Sequence, residues 1–178
     1  MIKKLLPTIT TILLLAPISV PAQVNPVSED EKSLLHESEI VDLMARLERM
    51  PPQQQKEKID ALWADDSGDK TPRSDFLYCS GFAYLDNYKA QACLGRAFEN
   101  GRGIVQDNMD AYVWYTIALD HPIDDMNFKE KLQSSQTHVK QVLVSVYPAP
   151  SDYELEDAVK RQKEKITEYR AKISNSGK

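Results

Sequence analysis

Apolar residues recur at steps of three and four along most of this chain, and no stretch alternates long enough to read as a strand. That pattern predicts an all-α protein of about seven helices. From Ser28 to Met50 the apolar positions Leu34, Leu35, Ile40, Leu43, Met44 and Leu47 define one helix. It opens on a Ser28-x-x-Glu31 capping box, with a break expected near Ser38. Pro51-Pro52 ends it, and Pro52 suits the first turn of a second helix carrying Ile59, Leu62 and Trp63. Asp65 to Arg73 is a polar loop, after which Ser74 is placed to cap a third helix from Asp75 to Leu85. Phe128, Leu132, Val139, Val142, Leu143 and Val146 mark a later helix, Met126 to Val146, that Pro148 and Pro150 stop. Ser151-x-x-Glu154 opens the last one, with a narrow stripe of Leu155, Ala158, Val159, Ile166, Tyr169 and Ile173. Asp157 with Arg161 and Glu168 with Lys172 edge that stripe. It can cap the helical array or pair with a second copy of the chain.

Between these lies the stretch Ala90 to Leu119, two amphipathic segments joined by a loop with glycines at two special places. Gly101 follows Leu94, Gly95 and Phe98 at helical spacing and can take the left-handed conformation that closes a helix near Asn100. Gly103 permits a second reversal, Ile104 can tuck back between the helices, and Asp107 is an N-cap for a helix opening at about Asn108. Gly95 and Ala111 are small where two helices must approach closely, while Phe98 and Trp114 fill the space around them. Leu94-Gly95-x-x-Phe98-x-x-Gly101-x-Gly103-Ile104-x-x-Asp107, followed by Ala111-x-x-Trp114-Tyr115-x-x-Ala118, resembles one complete Sel1-like repeat, a relative of the tetratricopeptide repeat. It departs by Phe98 for the usual Tyr and Ile104 for the usual Val. The resemblance implies a short solenoid of α-α hairpins that binds other proteins and has no chemistry of its own. After Leu119, Asp120-His121-Pro122 replaces the opening of a further repeat, so the array stops there. Upstream, Cys79-x-Gly81-x-x-Tyr84 recurs as Cys93-x-Gly95-x-x-Phe98, and this echo reads as a degenerate repeat helix before the complete one.

Residues 1–22 join Lys3 and Lys4 to an apolar run from Leu5 to Val20 and a small-residue end at Val20-Pro21-Ala22. They read as a secretory signal peptide with cleavage after Ala22. The expected mature chain is one domain, periplasmic or secreted, with no integral span. Its parts are an N-terminal helical region and linker (23–73), a repeat region (74–120) and C-terminal helices (121–178). Net charge is −5 for the whole chain and about −7 without the leader, which argues against a partner read through its phosphates, so no nucleic acid is expected.

Candidate chemistry is sparse. His36, His121 and His138 are far apart and in no metal-ligand spacing, the acids at 65, 66 and 69 lack EF-hand spacing, and no nucleophile elbow, phosphate loop or C-x-x-C occurs. No catalytic residue, metal or cofactor is expected. The candidate contacts for a protein partner of unknown identity are Tyr78, Tyr88, Tyr112 and Tyr115 with Arg96 and Arg102, residue types that anchor interfaces. Cys79 and Cys93 are the only cysteines, bound for an oxidising compartment. They bridge only if the turn between their helices is centred near Asp86; a later centre leaves two buried thiols. The expectation is an exported binding or scaffolding module of the cell envelope and not an enzyme. Two alternatives come from the resemblance: an assembly component of an envelope machine, as some exported Sel1-like proteins resemble part of a sodium-driven flagellar motor, or a cell-wall-related, β-lactam-binding enzyme.

Overall fold

The computed structural model describes residues 37–64 and 73–176, and these form seven α-helices with no strand. In chain order they are α1 (Glu37–Glu48), α2 (Pro52–Ala64), α3 (Arg73–Tyr84), α4 (Tyr88–Asn100), α5 (Asn108–Leu119), α6 (Met126–Ser145) and α7 (Asp152–Ser176). The expected signal peptide, the Ser28-x-x-Glu31 box, Leu34, Leu35 and most of the predicted 65–73 loop lie outside the described residues.

Local chemistry accounts for most boundaries. Gln55 Nε2 donates to the carbonyl oxygens of Met50 and Glu48, so the α1–α2 corner is tied by a side chain of α2 itself. Gly101 ends α4 at φ 66, and the loop folds back as Asp107 N–H donates to Phe98 O at 3.0 Å. Gly103 has φ 74. Asp107 then accepts from the N–H groups of Met109 and Asp110, capping α5 at Asn108 as expected. At α7 the capping box is reciprocal: Glu154 Oε2 accepts from Ser151 N–H, and Ser151 Oγ accepts from Glu154 N–H.

Several expectations are corrected. Ser74 lies inside α3, which starts at Arg73; Ser38 is in the first turn of α1, and the residues before Glu37, where the expected break would show, lie outside the described ones. Val146 leaves α6 in extended backbone and is exposed, and Val142 is only half-buried, so the inward stripe of α6 is shorter than predicted.

Consecutive helices from α3 to α6 pack on one another, α1 covers α3, α2 covers α4, and α7 crosses α5, α3 and α1. Two apolar clusters result. The first holds Met44, Leu62, Phe82, Leu94, Trp114 and Ile173; the second holds Ala111, Tyr115, Phe128, Leu132 and Leu155. Helices α4 and α5 contribute to both, so this hairpin is the middle layer. That two-sided burial explains why α5 reads apolar all round. The stripe of α7 is buried within the chain: Leu155, Val159, Ile166, Tyr169 and Ile173 face the two clusters, and of the two roles open to it the fold uses the capping one.

The turn between α3 and α4 sits at Asp86, whose φ of 70 is left-handed, and Asn87 caps α4. This is the centring that lets the two cysteines face each other. Cys79 and Cys93 are disulfide-bonded, with Cα atoms 5.9 Å apart. The fourteen-residue echo has a packing meaning as well. Gly81 receives Leu43 and Leu47 of α1, and Gly95 receives the Tyr115 ring of α5. The same motif therefore opens a close approach on two successive helices.

Candidate functional site

A groove of about 510 Å³ opens between the α3–α5 layer and α7. One wall is aromatic: Phe76 meets Phe98 edge-on at 5.9 Å, Tyr84 meets Trp114 edge-on at 5.4 Å, and Tyr84 meets Tyr169 of α7 at 5.1 Å. Ile104 closes one end from the α4–α5 loop, which is where the two reversals at Gly101 and Gly103 deliver it. The opposite wall is one face of α7, carrying Ala158, Arg161, Gln162, Lys165 and Tyr169 at helical spacing.

The groove is electrostatically uneven. Asp107 and Asp110 stand at the α5 side, where Asp107 is engaged in capping. Arg161 and Lys165 stand at the α7 side; Arg161 also pairs with Asp157 and Lys165 lies over the Tyr169 ring. On the floor, burial pushes the Tyr84 hydroxyl up to about 12, with the neighbouring Gln162 amide opposing that rise and the Asp110 carboxylate adding to it. The amide nonetheless does not meet hydrogen-bond geometry: Gln162 Nε2 is buried and has no partner among the described residues. Tyr169 is also raised, again first by burial.

The residues of the repeat-like pattern lie around this groove and behind it. Leu94, Phe98, Ile104, Asp107 and Trp114 line it, while Gly95, Ala111 and Ala118 sit in the packed layer behind. The six predicted partner contacts do not converge and none lines it. Tyr78 lies under Lys58 of α2, and Tyr88 packs edge-on against Phe128 of α6. Arg96 donates to the carbonyls of Leu62 and Trp63 and stacks over the Trp63 ring, so it binds α2 to α4. Arg102 and Tyr112 are half-buried. Tyr115 is a correction: it is 1% exposed, with its hydroxyl donating to Glu99 at 2.5 Å and its pKa raised first by burial and then by that carboxylate.

Sequence reading missed Gln162. Its signal was present, since Leu155, Val159, Ile166, Tyr169 and Ile173 follow alternating steps of four and three once position 162 is included. Gln162 is thus the one polar residue in an otherwise apolar seam. Elsewhere Ser80 donates its hydroxyl to Phe76 O, and His121 pairs with Asp86. Among the described residues no three His, Cys, Asp or Glu side chains come together as a metal site. The accessible lining of the groove is more polar than apolar, because Phe76, Tyr84, Trp114 and Tyr169 are themselves buried and charged and amide side chains stand around them.

No family model, curated protein or solved structure matches this chain.

Proposed function

We propose that this chain is an exported, non-enzymatic protein-binding module of the cell envelope, built on one Sel1-like hairpin and a degenerate partner helix. The observation that carries the reading is the groove, an aromatic wall set on a rigid hairpin and faced by donors from α7. A concave surface with polar groups held on packed helices suits recognition. The disulfide supports an oxidising location, in keeping with the leader-like residues 1–22. No described helix is long and apolar enough to cross a membrane.

Affinity capture tests the proposal. The mature chain, immobilised with its disulfide intact, is exposed to envelope extract and retained proteins are identified by mass spectrometry. A stoichiometric partner that survives moderate salt supports an adaptor. Failure to retain any protein above a reduced and unfolded control refutes it.

A further inference from the structure

We infer that the corner between α6 and α7 is a docking surface for a protein partner that presents an apolar face rimmed by lysine or arginine. The surface lies outside the groove and does not depend on it. Of the six large apolar side chains that are more than half exposed among the described residues, four belong to this corner: Val144 at the end of α6, Val146 and Tyr147 in the connection, and Tyr153 in the first turn of α7. The run 144–149 is exposed throughout, and Tyr147 stands fully in solvent. A fifth, Val105, comes to the same end of the molecule. Gln136 of α6 donates to Thr116 of α5 at 2.9 Å, and four residues on, Lys140 stands close enough to Tyr112 for the two to interact electrostatically. That antiparallel register brings Val144 level with Asn108 and so with the α4–α5 loop that carries Val105. Scattered exposed apolar residues are ordinary, but five of six at one end form a patch, and tyrosine is a residue type that carries binding energy.

Charge selects the occupant. Lys140 is answered by Asp152 at 3.1 Å, while among the described residues no cation pairs with Glu154 or Glu156. Glu154 accepts from the N–H and then the hydroxyl of Ser151, neutral donors that hold its carboxyl below the usual range and keep it ionised. Helix dipoles do not offset this, since α5 and α7 begin at this end and α4 and α6 finish at it. A second copy seated corner on corner would set carboxylates against carboxylates, and a bilayer with anionic headgroups would repel them. A cationic rim around an apolar centre complements both features of the corner.

The test uses the mature, oxidised chain and fluorescence polarisation with three labelled amphipathic helical peptides. They share a face of leucine and phenylalanine and carry Lys, Gln or Glu beside it. The lysine peptide should bind best and weaken as salt rises. Tyr147→Ser combined with Tyr153→Ser should weaken its binding at least about ten-fold with Tm unchanged, because both rings are exposed. Glu156→Lys should erase the preference for the lysine peptide over the glutamine one. No binding of the lysine peptide, equal binding of the lysine and glutamate peptides, or unchanged binding by the folded double variant overturns the inference. So does wild-type self-association in sedimentation that the double variant abolishes, since the occupant would then be a second copy. Adhesion to phosphatidylcholine–phosphatidylglycerol vesicles that the double variant abolishes overturns it in favour of a membrane. Capture from envelope extract reads the adaptor proposal separately, because the double variant leaves the groove intact.

Discussion

Adding one methyl group at Gly95 should destabilise the protein more than adding it at the equivalent Gly81. A Cβ at Gly95 would lie 2.6 and 2.7 Å from Cδ1 and Cε1 of the Tyr115 ring. Carbon atoms pack at about 3.5–4.0 Å, so ring and helix must separate by about 1 Å. The ring has little freedom to give way, being buried and held through its hydroxyl by Glu99. Overpacking of this kind costs about 1–3 kcal/mol, and the gain from replacing a helical glycine by alanine is about 0.5–1 kcal/mol. The net cost is therefore about 0–2.5 kcal/mol, centred near 1 kcal/mol. For a domain of this size the central value lowers Tm by roughly 2–4 °C. At Gly81 the new Cβ meets Leu47 Cδ1 at 2.5 Å and Leu43 Cγ at 3.0 Å. Leu43 is half-buried and can swing toward solvent, and the Leu47 contact is with the far end of a flexible side chain, though a buried one, so Gly81→Ala should cost less than Gly95→Ala, by about 1 kcal/mol. Thermal and urea unfolding followed by far-UV circular dichroism, with the disulfide kept oxidised, reads both. Combining Gly95→Ala with Tyr115→Leu should recover part of the loss. A Gly95→Ala chain at least as stable as Gly81→Ala would refute the close-approach argument.

Three further outcomes follow from the same structure. Thiol counting on unfolded, unreduced protein should find no reactive thiol, and removing the Cys79–Cys93 bridge by a double serine substitution should cost about 3 kcal/mol for its loop of about fifteen residues. Burial holds the Tyr84 hydroxyl up to about 12 against an ordinary 10.0, so its neutral form contributes stability that is complete below about pH 10 and is lost as pH rises through 12. Tyr84→Phe should therefore move alkaline unfolding to higher pH, by an effect on the order of 2–3 kcal/mol, checked by tyrosinate absorbance together with circular dichroism. Intact-mass analysis of exported protein should give a chain beginning at Gln23, and retention of residues 1–22 would contradict the signal-peptide reading.

The parts of the fold that local chemistry controls were legible in the sequence. Gly101, Asp107, Pro52 and the Ser151–Glu154 box each act within a few residues of themselves, and each does what its type and position predict. Side-chain direction on α5 was not legible, because a helix buried on two sides has no polar face to orient it, and Tyr115 could not be told from a surface tyrosine. Arg96 was misjudged for a related reason: its partners are the carbonyls at the end of α2, some thirty residues earlier, and spacing carries no information about them. The groove wall on α7 was legible in part. The apolar stripe was visible, yet Gln162, the polar member of the seam, was passed over because the stripe was read only from its apolar positions.

The position of α7 also sets the order in which the molecule can be completed. Contacts that build the α3–α5 layer join near neighbours in the chain, with the disulfide spanning 14 residues. Those that seat α7 do not: Arg170 reaches Asp86 across 84 residues and Lys172 reaches Glu37 across 135. Closing long loops is entropically slow, so the hairpin layer should assemble first and α7 dock last. The α7 wall of the groove then exists only once the final helix has closed over the first, and a chain cut short before Asp152 leaves the aromatic residues of the α3–α5 layer uncovered.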